Sequence, residues 1–258
     1  GTNWGTILTD PRFSRAELLL DTQALSRLGS AHVCVIGLGG VGSYAVEALA
    51  RAGVGEFTLI DFDVVGKTNL NRQIIALEST LGLPKTEVLR QRVLDINPSA
   101  LVHTRQEFLD SSNRGSLLQG MDLYIDAIDS LGPKIGLLEH AITQGFRFIS
   151  VMGAGNRVDP AQIHLAPLAE SHACPLAKRV RKFLRRRGFP INFPCVYSSE
   201  KPVKTDPDDS APDEIILQRG RQRQTIGSIS YMPAIMGMMA ASWVIREAIK
   251  PVDGIPES

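Results

Sequence analysis

Three acids, one lysine and a short polar loop carry most of the chemistry this sequence can offer. Asp61 and Asp63 follow the apolar run Phe57-Thr58-Leu59-Ile60, and Asp129 follows Leu123-Tyr124-Ile125-Asp126-Ala127-Ile128. Between them lie Asn69, Arg72 and Gln73, and then Lys85 directly after Pro84. Upstream, Gly37-Leu38-Gly39-Gly40-Val41-Gly42 separates the run Val33-Cys34-Val35-Ile36 from a helical pattern that continues through Ala50. Glycines at such a break let the backbone turn tightly and bring its N–H groups to phosphate with no Cβ in the way. An acid at the end of the next strand can take ribose hydroxyls. Residues 32–73 therefore read as strand, glycine turn, helix and strand, a nucleotide-binding βαβ unit.

Which nucleotide is a separate question. Gly37-x-Gly39-x-x-Gly42 with Asp61 nineteen residues later also fits an NAD-binding fingerprint, so an NAD-dependent oxidoreductase is one reading. A nicotinamide site has little use for an extra arginine, a lysine and a metal-ready acid. A nucleoside triphosphate needs all of them: cations to neutralise the β and γ phosphates as pyrophosphate leaves, and an acid to hold Mg2+. Each residue taken singly could be a solvated charge or a helix cap. Their joint placement at strand ends favours ATP over NAD.

These residues must be positioned by regular elements. Residues 10–31 carry a helical pattern with Leu18, Leu19, Leu25 and Leu28 as its apolar positions. The arginines of Arg12-Phe13-Ser14-Arg15 would, on spacing alone, be a solvated face. Pro84 opens a helix with Val88, Leu89, Val93 and Ile96 on one side, stopped by Asn97-Pro98. Strands are expected at 101–106, 123–130 and 148–152, with helices at 111–118 and 133–145. This alternation predicts an α/β fold: a doubly wound, mostly parallel, Rossmann-like sheet. Ligands of such sheets bind outside the carboxyl ends of the strands, so Asp61, Asp63 and Asp129 are expected to converge on one crevice.

The pattern changes at Gly153-Ala154-Gly155. Residues 156–167 alternate like an antiparallel strand at the far side of the sheet, and 170–200 hold a basic helix and a proline-bearing loop. Residues 201–225, rich in Asp, Pro, Lys and Gln, read as a mobile insertion, and 235–249 as a final helix. The whole is expected to be a single domain over 1–258. It comprises a helical segment at 10–31, a nucleotide-binding core at 32–152 and a substrate side at 153–258.

Composition narrows the partners. The 258 residues include 28 basic and 27 acidic side chains, so net charge predicts no polyanion. The local exception is Lys178-Arg179-Val180-Arg181-Lys182-Phe183-Leu184-Arg185-Arg186-Arg187, seven cations in ten residues. On a helix, Val180, Phe183 and Leu184 form one apolar stripe, and the cations make either a solvated face or a field suited to a phosphate backbone. Cys34, Cys174 and Cys195 include no Cys-x-x-Cys pair, which excludes a four-cysteine zinc site within one chain. They read as reduced thiols of a cytoplasmic protein. The most apolar stretch, 231–249, is interrupted by Pro233, Gly237, Arg246 and Glu247 and is not expected to span a membrane. No signal peptide is visible, and Gly1-Thr2-Asn3-Trp4 reads as a trimmed end.

Several of these motifs together carry a family resemblance. Gly37-Leu38-Gly39-Gly40-Val41-Gly42, Arg51-Ala52-Gly53-Val54-Gly55, Leu59-Ile60-Asp61-Phe62-Asp63, Asn69-Leu70-Asn71-Arg72-Gln73, Lys85 and Asp126-Ala127-Ile128-Asp129 resemble the ubiquitin-activating, ThiF-type adenylating superfamily. The likeness covers roughly residues 10–170. Within that superfamily, four later motifs are most similar to the tRNA threonylcarbamoyladenosine dehydratase branch. They are Asp129-Ser130, the run from Gly153-Ala154-Gly155 to Asp159-Pro160-Ala161-Gln162-Ile163, Cys195-Val196-Tyr197-Ser198-Ser199-Glu200 and Gly227-Ser228-Ile229-Ser230.

The resemblance implies an ATP-dependent enzyme that adenylates the threonyl carboxylate of the modified tRNA base and closes it to a cyclic form. By it, Gly37, Gly39, Gly40 and Gly42 line the phosphate turn and Asp61, with Asp63 beside it, binds the ribose. Asn69, Arg72, Gln73 and Lys85 contact the triphosphate, and Asp129 holds Mg2+. Arg15 matches an arginine that members of this fold donate across a homodimer to the partner's ATP, as an arginine finger. Lys178, Arg179, Arg181, Lys182, Arg185, Arg186 and Arg187 become candidates for tRNA contact, and a sulfur-relay protein a further partner. Activators of ubiquitin-like sulfur carriers share the ATP site, but they typically hold zinc with two Cys-x-x-Cys pairs and often bear a thioester-forming cysteine. Cys174 and Cys195 are the counterparts available for the latter. The missing zinc motif favours the dehydratase branch. A non-catalytic nucleotide-binding partner would not need the full charge set.

Overall fold

Strands buried on both faces need apolar side chains at successive positions, and the runs after His32, Glu56 and Asp122 supply them. A computed structural model describes residues 10–203 and 226–251. Its strands are β1 (His32–Ile36), β2 (Glu56–Ile60), β3 (Leu101–Arg105), β4 (Leu123–Asp126), β5 (Phe148–Val151), β6 (Ile163–Pro167) and β7 (Pro194–Ser198). They form one seven-stranded sheet in the order β3-β2-β1-β4-β5-β7-β6. Every neighbouring pair is parallel except β6 and β7. This is the expected doubly wound, mostly parallel α/β architecture with an antiparallel side.

The helices are α1 (Ser14–Ser30), α2 (Gly42–Ala52), α3 (Lys85–Ile96), α4 (Arg114–Leu117), α5 (Leu131–Gln144), α6 (Pro175–Arg186) and α7 (Tyr231–Ala248). On one face of the sheet, Val33, Val35, Phe57 and Leu59 pack with residues of α2 and α7. On the other, Cys34, Ile36, Ile60, Tyr124 and Phe148 pack with α5 and α6. α7 lies close against α2 because its contact residues are small. A Cβ added at Gly237 would stand 2.2 Å from the Val41 carbonyl oxygen. The C-terminal helix therefore reaches the start of α2, beside the glycine turn.

Some boundaries differ from the sequence reading, each for a physical reason. α1 breaks at Asp21, which has φ 69°, and the Asp21 Oδ1 accepts the Ala24 N–H at 2.8 Å as a second helix start. Ala24, Leu25 and Leu28 of this helix are buried and Ala16 and Leu20 pack against the core from its rim, whereas Leu18 and Leu19 are 85% and 82% exposed. β4 ends at Asp126 rather than 130, since the Asp126 carboxylate accepts the Ile128 N–H and turns the chain. β7 occupies part of what reads as a proline-bearing loop: Pro194 sits at its first position, where a missing N–H costs the ladder least. Residues 156–162 are a turn and a short 3-10 helix capped by Asp159, so the far-side strand begins only at Ile163. The helix expected at 111–118 is regular only over Arg114–Leu117. The insertion expected at 201–225 lies, from residue 204 on, outside the described residues. Among the described residues no helix is long and apolar enough to cross a membrane.

The contact at Gly237 gives a test of sign. In an open helix, glycine to alanine gains about 1 kcal/mol. Gly237→Ala should instead lower the unfolding free energy, by about 1–3 kcal/mol as overpacking does. Urea denaturation of the two proteins measures the difference.

Candidate active site

The strand order reverses between β1 and β4, which opens a crevice outside the carboxyl ends of β1, β2 and β4. The turn after β1 fills one wall. Gly37 has φ 90°, and a Cβ at Gly42 would lie 1.7 Å from the Gly37 carbonyl oxygen, so α2 can start there only as glycine. The opposite wall is the segment after β4: the Ala127 N–H donates to the Ile36 carbonyl at 2.8 Å, and Ala127 also abuts Gly37 and Gly42. Bare glycine backbone at such a turn is the kind of N–H cradle that phosphate takes.

Asp61 leaves β2 into this crevice. Its Oδ2 accepts the Leu38 N–H at 2.7 Å and its Oδ1 the Asp63 N–H at 2.8 Å. Burial pushes its pKa up from the ordinary carboxylate value, opposed by those two N–H donors and by Lys85. Lys85, at the start of α3, has a buried side chain whose Nζ stands 3.5 Å from Asp63 Oδ2. Its N–H also donates to the Asp63 carbonyl at 3.1 Å. The loop between folds back on itself, with the Val65 N–H on the Leu83 carbonyl at 2.8 Å. Asn69 nucleates a helical turn: its carbonyl accepts the N–H groups of Arg72 and Gln73, and its side chain accepts the Gly66 N–H.

That turn brings Arg72 and Gln73 under the glycines. A Cβ at Gly40 would be 3.2 Å from the Arg72 carbonyl oxygen, and one at Gly39 would be 3.5 Å from Gln73 Nε2. The Arg72 guanidinium donates to the Thr68 carbonyl and to Asn71 Oδ1. Gln73 is 5% exposed, yet its Oε1 has no hydrogen-bond partner. A buried acceptor left unsatisfied costs about 1–3 kcal/mol, and a ligand hydroxyl or amine would remove that cost. Asp129 is exposed beyond the end of β4. A cradle of N–H groups, a buried ammonium, a guanidinium and an exposed carboxylate are the donor set for a nucleoside triphosphate with a hard divalent cation.

Arg15 is not gathered into this crevice within the chain. It is exposed at the start of α1, where nearby Phe13 packs on Gly53 at the far end of α2. The 11 residues of α2 place that end about 16 Å from the glycine turn. A cleft of about 470 Å3 there, lined by Arg12, Phe13, Arg51, Arg92, Asp95 and Ile96, has two of its arginines paired with the buried Glu47. It is not the nucleotide site.

α6 presents its cations as the pattern suggests, with Ala177, Val180, Phe183 and Leu184 buried. Arg181 and Arg187 have structural partners: Arg181 Nη1 donates to the carbonyl and hydroxyl of Ser171, and Arg187 Nη1 stands 2.5 Å from Glu139 Oε1. Lys178, Arg185 and Arg186 are exposed, and Arg179 and Lys182 are half-buried. All three cysteines are buried. Burial pushes the Cys34 thiol far up and that of Cys195 up to about 12. Cys174 caps α6, accepting the Ala177 N–H.

Two site residues escaped the sequence reading. Lys134 has no exposed surface. Its Nζ stands 2.8 Å from Asp126 Oδ2 and donates to the carbonyls of Ile128 and Val151 at 2.7 Å each. A lone cation in the apolar helix 131–144 was the available signal. Arg157 is 4% exposed and ties the exit of β5 to that of β7, donating to the carbonyls of Gly153, Gly155 and Glu200.

Known proteins share this architecture. The model of the ThiF family matches residues 13–256. The chain is 35% identical over 246 residues to the tRNA threonylcarbamoyladenosine dehydratase of Bacillus subtilis, with 94% of this chain and 96% of that protein covered. It is 35% identical over 249 residues to the enzyme of the same name from Escherichia coli, covering 92% of each. Its fold superposes with a TM-score of 0.81 on the crystal structure of the Escherichia coli tRNA N6-threonylcarbamoyladenosine dehydratase in complex with ATP. That match has 34% identity and covers 92% of this chain and 93% of that one.

The raised pKa of Asp61 has a measurable sign. The folded chain holds a proton there that the unfolded chain releases, so this group's contribution to stability falls as pH rises from about 4 towards the raised value. Asp61→Asn should remove that part of the fall, seen in urea midpoints collected across the carboxylate range. It should also weaken ATP binding at least roughly tenfold, as expected when a charged hydrogen-bond acceptor is lost; calorimetric titration with ATP measures this.

Proposed function

The chain belongs to the ThiF family, and on that premise we propose that it catalyses the ATP-dependent dehydration of N6-threonylcarbamoyladenosine in tRNA to its cyclic form. The observation that carries this reading is a crevice suited to ATP in a chain that resembles the dehydratases almost end to end. The threonyl carboxylate attacks the α-phosphate of ATP, forming an acyl-adenylate and releasing pyrophosphate. An internal nitrogen of the carbamoyl group then attacks the acyl carbon, loses its proton and expels AMP, with net loss of water. Activation is needed because a carboxylate oxygen is a poor leaving group and AMP a good one.

The protein's part is positioning and charge neutralisation. Backbone N–H groups of the turn beyond Leu38 hold phosphate, and Asp61, oriented by the N–H groups of Leu38 and Asp63, takes the ribose hydroxyls. Lys85 and Arg72 neutralise the triphosphate, with Lys85 aimed by Asp63. Gln73 Oε1, buried without a partner, accepts from the bound nucleotide. Asn69 serves chiefly by shaping the turn that presents them. Asp129 holds Mg2+, which when bound neutralises phosphate charge. No cysteine is exposed among the described residues, and this chemistry needs no thiol nucleophile.

Arg15 completes the site from a second copy of the chain. Its distance from its own crevice supports donation in trans. So do the exposed Leu18 and Leu19 beside it, an apolar surface suited to a homodimer. The exposed cations of α6 contact the tRNA backbone. Adenylation of a ubiquitin-like sulfur carrier shares the first half-reaction, but the chain lacks the paired Cys-x-x-Cys motif of those activators.

ATP–pyrophosphate exchange separates the readings. It should require tRNA bearing threonylcarbamoyladenosine, and exchange supported by unmodified tRNA or by a carrier protein would overturn the assignment. Asp129→Ala should abolish exchange while leaving the thermal melt unchanged. Joint replacement of Lys178, Arg185 and Arg186 by Ala should flatten the salt dependence of tRNA binding by roughly two to three units of log–log slope. An unchanged slope would return α6 to a merely solvated helix.

A further inference from the structure

The amino ends of the strands, at the opposite edge of the sheet from the crevice, carry a second cluster of chemistry-bearing side chains. His32 begins β1 and lies directly opposite Glu56, which begins β2. Two residues on, Thr58 lies opposite His103 of β3. Side chains two apart share a sheet face, so His32, Glu56, Thr58 and His103 all project from the same side of three adjacent strands. Their ligand atoms converge. His103 Nε2 is 2.8 Å and His32 Nδ1 3.6 Å from Glu56 Oε1, and one ligand atom from each of the three lies within 4.8 Å of the others.

We propose that His32 Nδ1, Glu56 Oε1 and His103 Nε2 form a binding site for a zinc-like divalent transition-metal ion, with its remaining coordination position open to water. Two imidazoles and one carboxylate are an established donor set for such ions. Ligands at zinc's usual bond lengths in tetrahedral geometry stand about 3.4 Å apart, and the observed 2.8 and 3.6 Å separations bracket that value. The outer contacts are also those of a ligating histidine. The other ring nitrogen of His32, Nε2, is 2.8 Å from the hydroxyl of the buried Thr58, which fixes the ring with Nδ1 towards the cluster. The His32 backbone N–H is held by Asp122 Oδ2 at 2.8 Å, adding negative charge nearby. The side chains of His32, Glu56 and His103 are 17%, 31% and 45% exposed, so an ion can enter from solvent. Because the ligands sit on paired strands, the platform is rigid. A bound ion would clamp the edge strand β3 to the central strand β1 across β2.

The test is titration of the chelator-treated full-length chain with Co2+ alone, in the absence of ATP. We expect one Co2+ per chain with the intense visible bands of four- or five-coordination, displaced by Zn2+, and a rise in thermal midpoint on loading. His103→Ala, at an exposed position of the edge strand, should weaken Co2+ binding by more than the roughly 10- to 100-fold of an outer-shell change and lose the thermal shift. Glu56→Gln, which keeps size, should do the same while melting in chelator near the wild-type temperature. Asp129→Ala should bind Co2+ as wild type does. The proposal is overturned if wild type shows only the pale spectrum of hexa-aqua Co2+, if His103→Ala keeps its affinity, or if Asp129→Ala removes the strong site.

Discussion

A charged pair with almost no access to water holds the rest of the site in place. Lys134 and Asp126 meet at 2.8 Å with 0% and 2% of their side chains exposed. Either ion left alone in that interior would carry a desolvation cost of several kcal/mol, and the pair is tolerable only because its remaining hydrogen bonds are made. They are made completely. The lysine's three donors go to Asp126 and to the carbonyls of Ile128 and Val151, while Asp126 also accepts from Ile128 and Ser150. One network thus ends β4, starts α5 and ties both to β5. It presses Ala127 against the glycine turn and leaves Asp129 at the lip of the crevice.

The second constraint is steric. The glycine turn has close neighbours: Ala127 from the segment after β4, Arg72 and Gln73 from the loop after β2, and Pro233 from α7. A side chain at Gly37 or Gly42 would displace backbone, so the elements can close around the turn only while those two positions stay bare. What they enclose is not relaxed. Asp61 is buried enough to raise its pKa, Lys85 is an almost wholly covered ammonium, and Gln73 has an unsatisfied oxygen. Each penalty is one that a ligand with matching donors and charge would relieve. Ground-state cost held in reserve for a ligand is common at functional sites.

Charge is concentrated on separate surfaces. The crevice collects its cations at the carboxyl ends of the central strands. α6 sets another group on the opposite sheet face, anchored through Arg181 on Ser171 and Arg187 on Glu139. The three thiols are buried: burial pushes those of Cys34 and Cys195 up, and Cys174 serves as a helix cap. The near-zero net charge of the chain conceals this local organisation.

Sequence alone determined what depends on local order. The glycine turn, the acids after β2 and β4, the polar loop of Asn69, Arg72 and Gln73, and the amphipathic pattern of α6 are readable because each is encoded within one or two elements, by periodicity and backbone conformation. The doubly wound class follows for the same reason. What tertiary structure decided was set by partners distant in the chain. Lys134 becomes a structural ion because Asp126 and Val151 surround it, and Arg157 becomes a strut because β5 and β7 end side by side. β7 itself emerges only because β5 and β6 supply backbone partners on both sides of Pro194–Ser198. Leu18 and Leu19 fit a helical stripe in the sequence, yet the break at Asp21 keeps them off the core. His32, Glu56 and His103 are separated by tens of residues and meet only through strand register. Spacing reports what a segment can become, whereas burial and pairing energies, which depend on the neighbours that packing supplies, select the side chains that form a site.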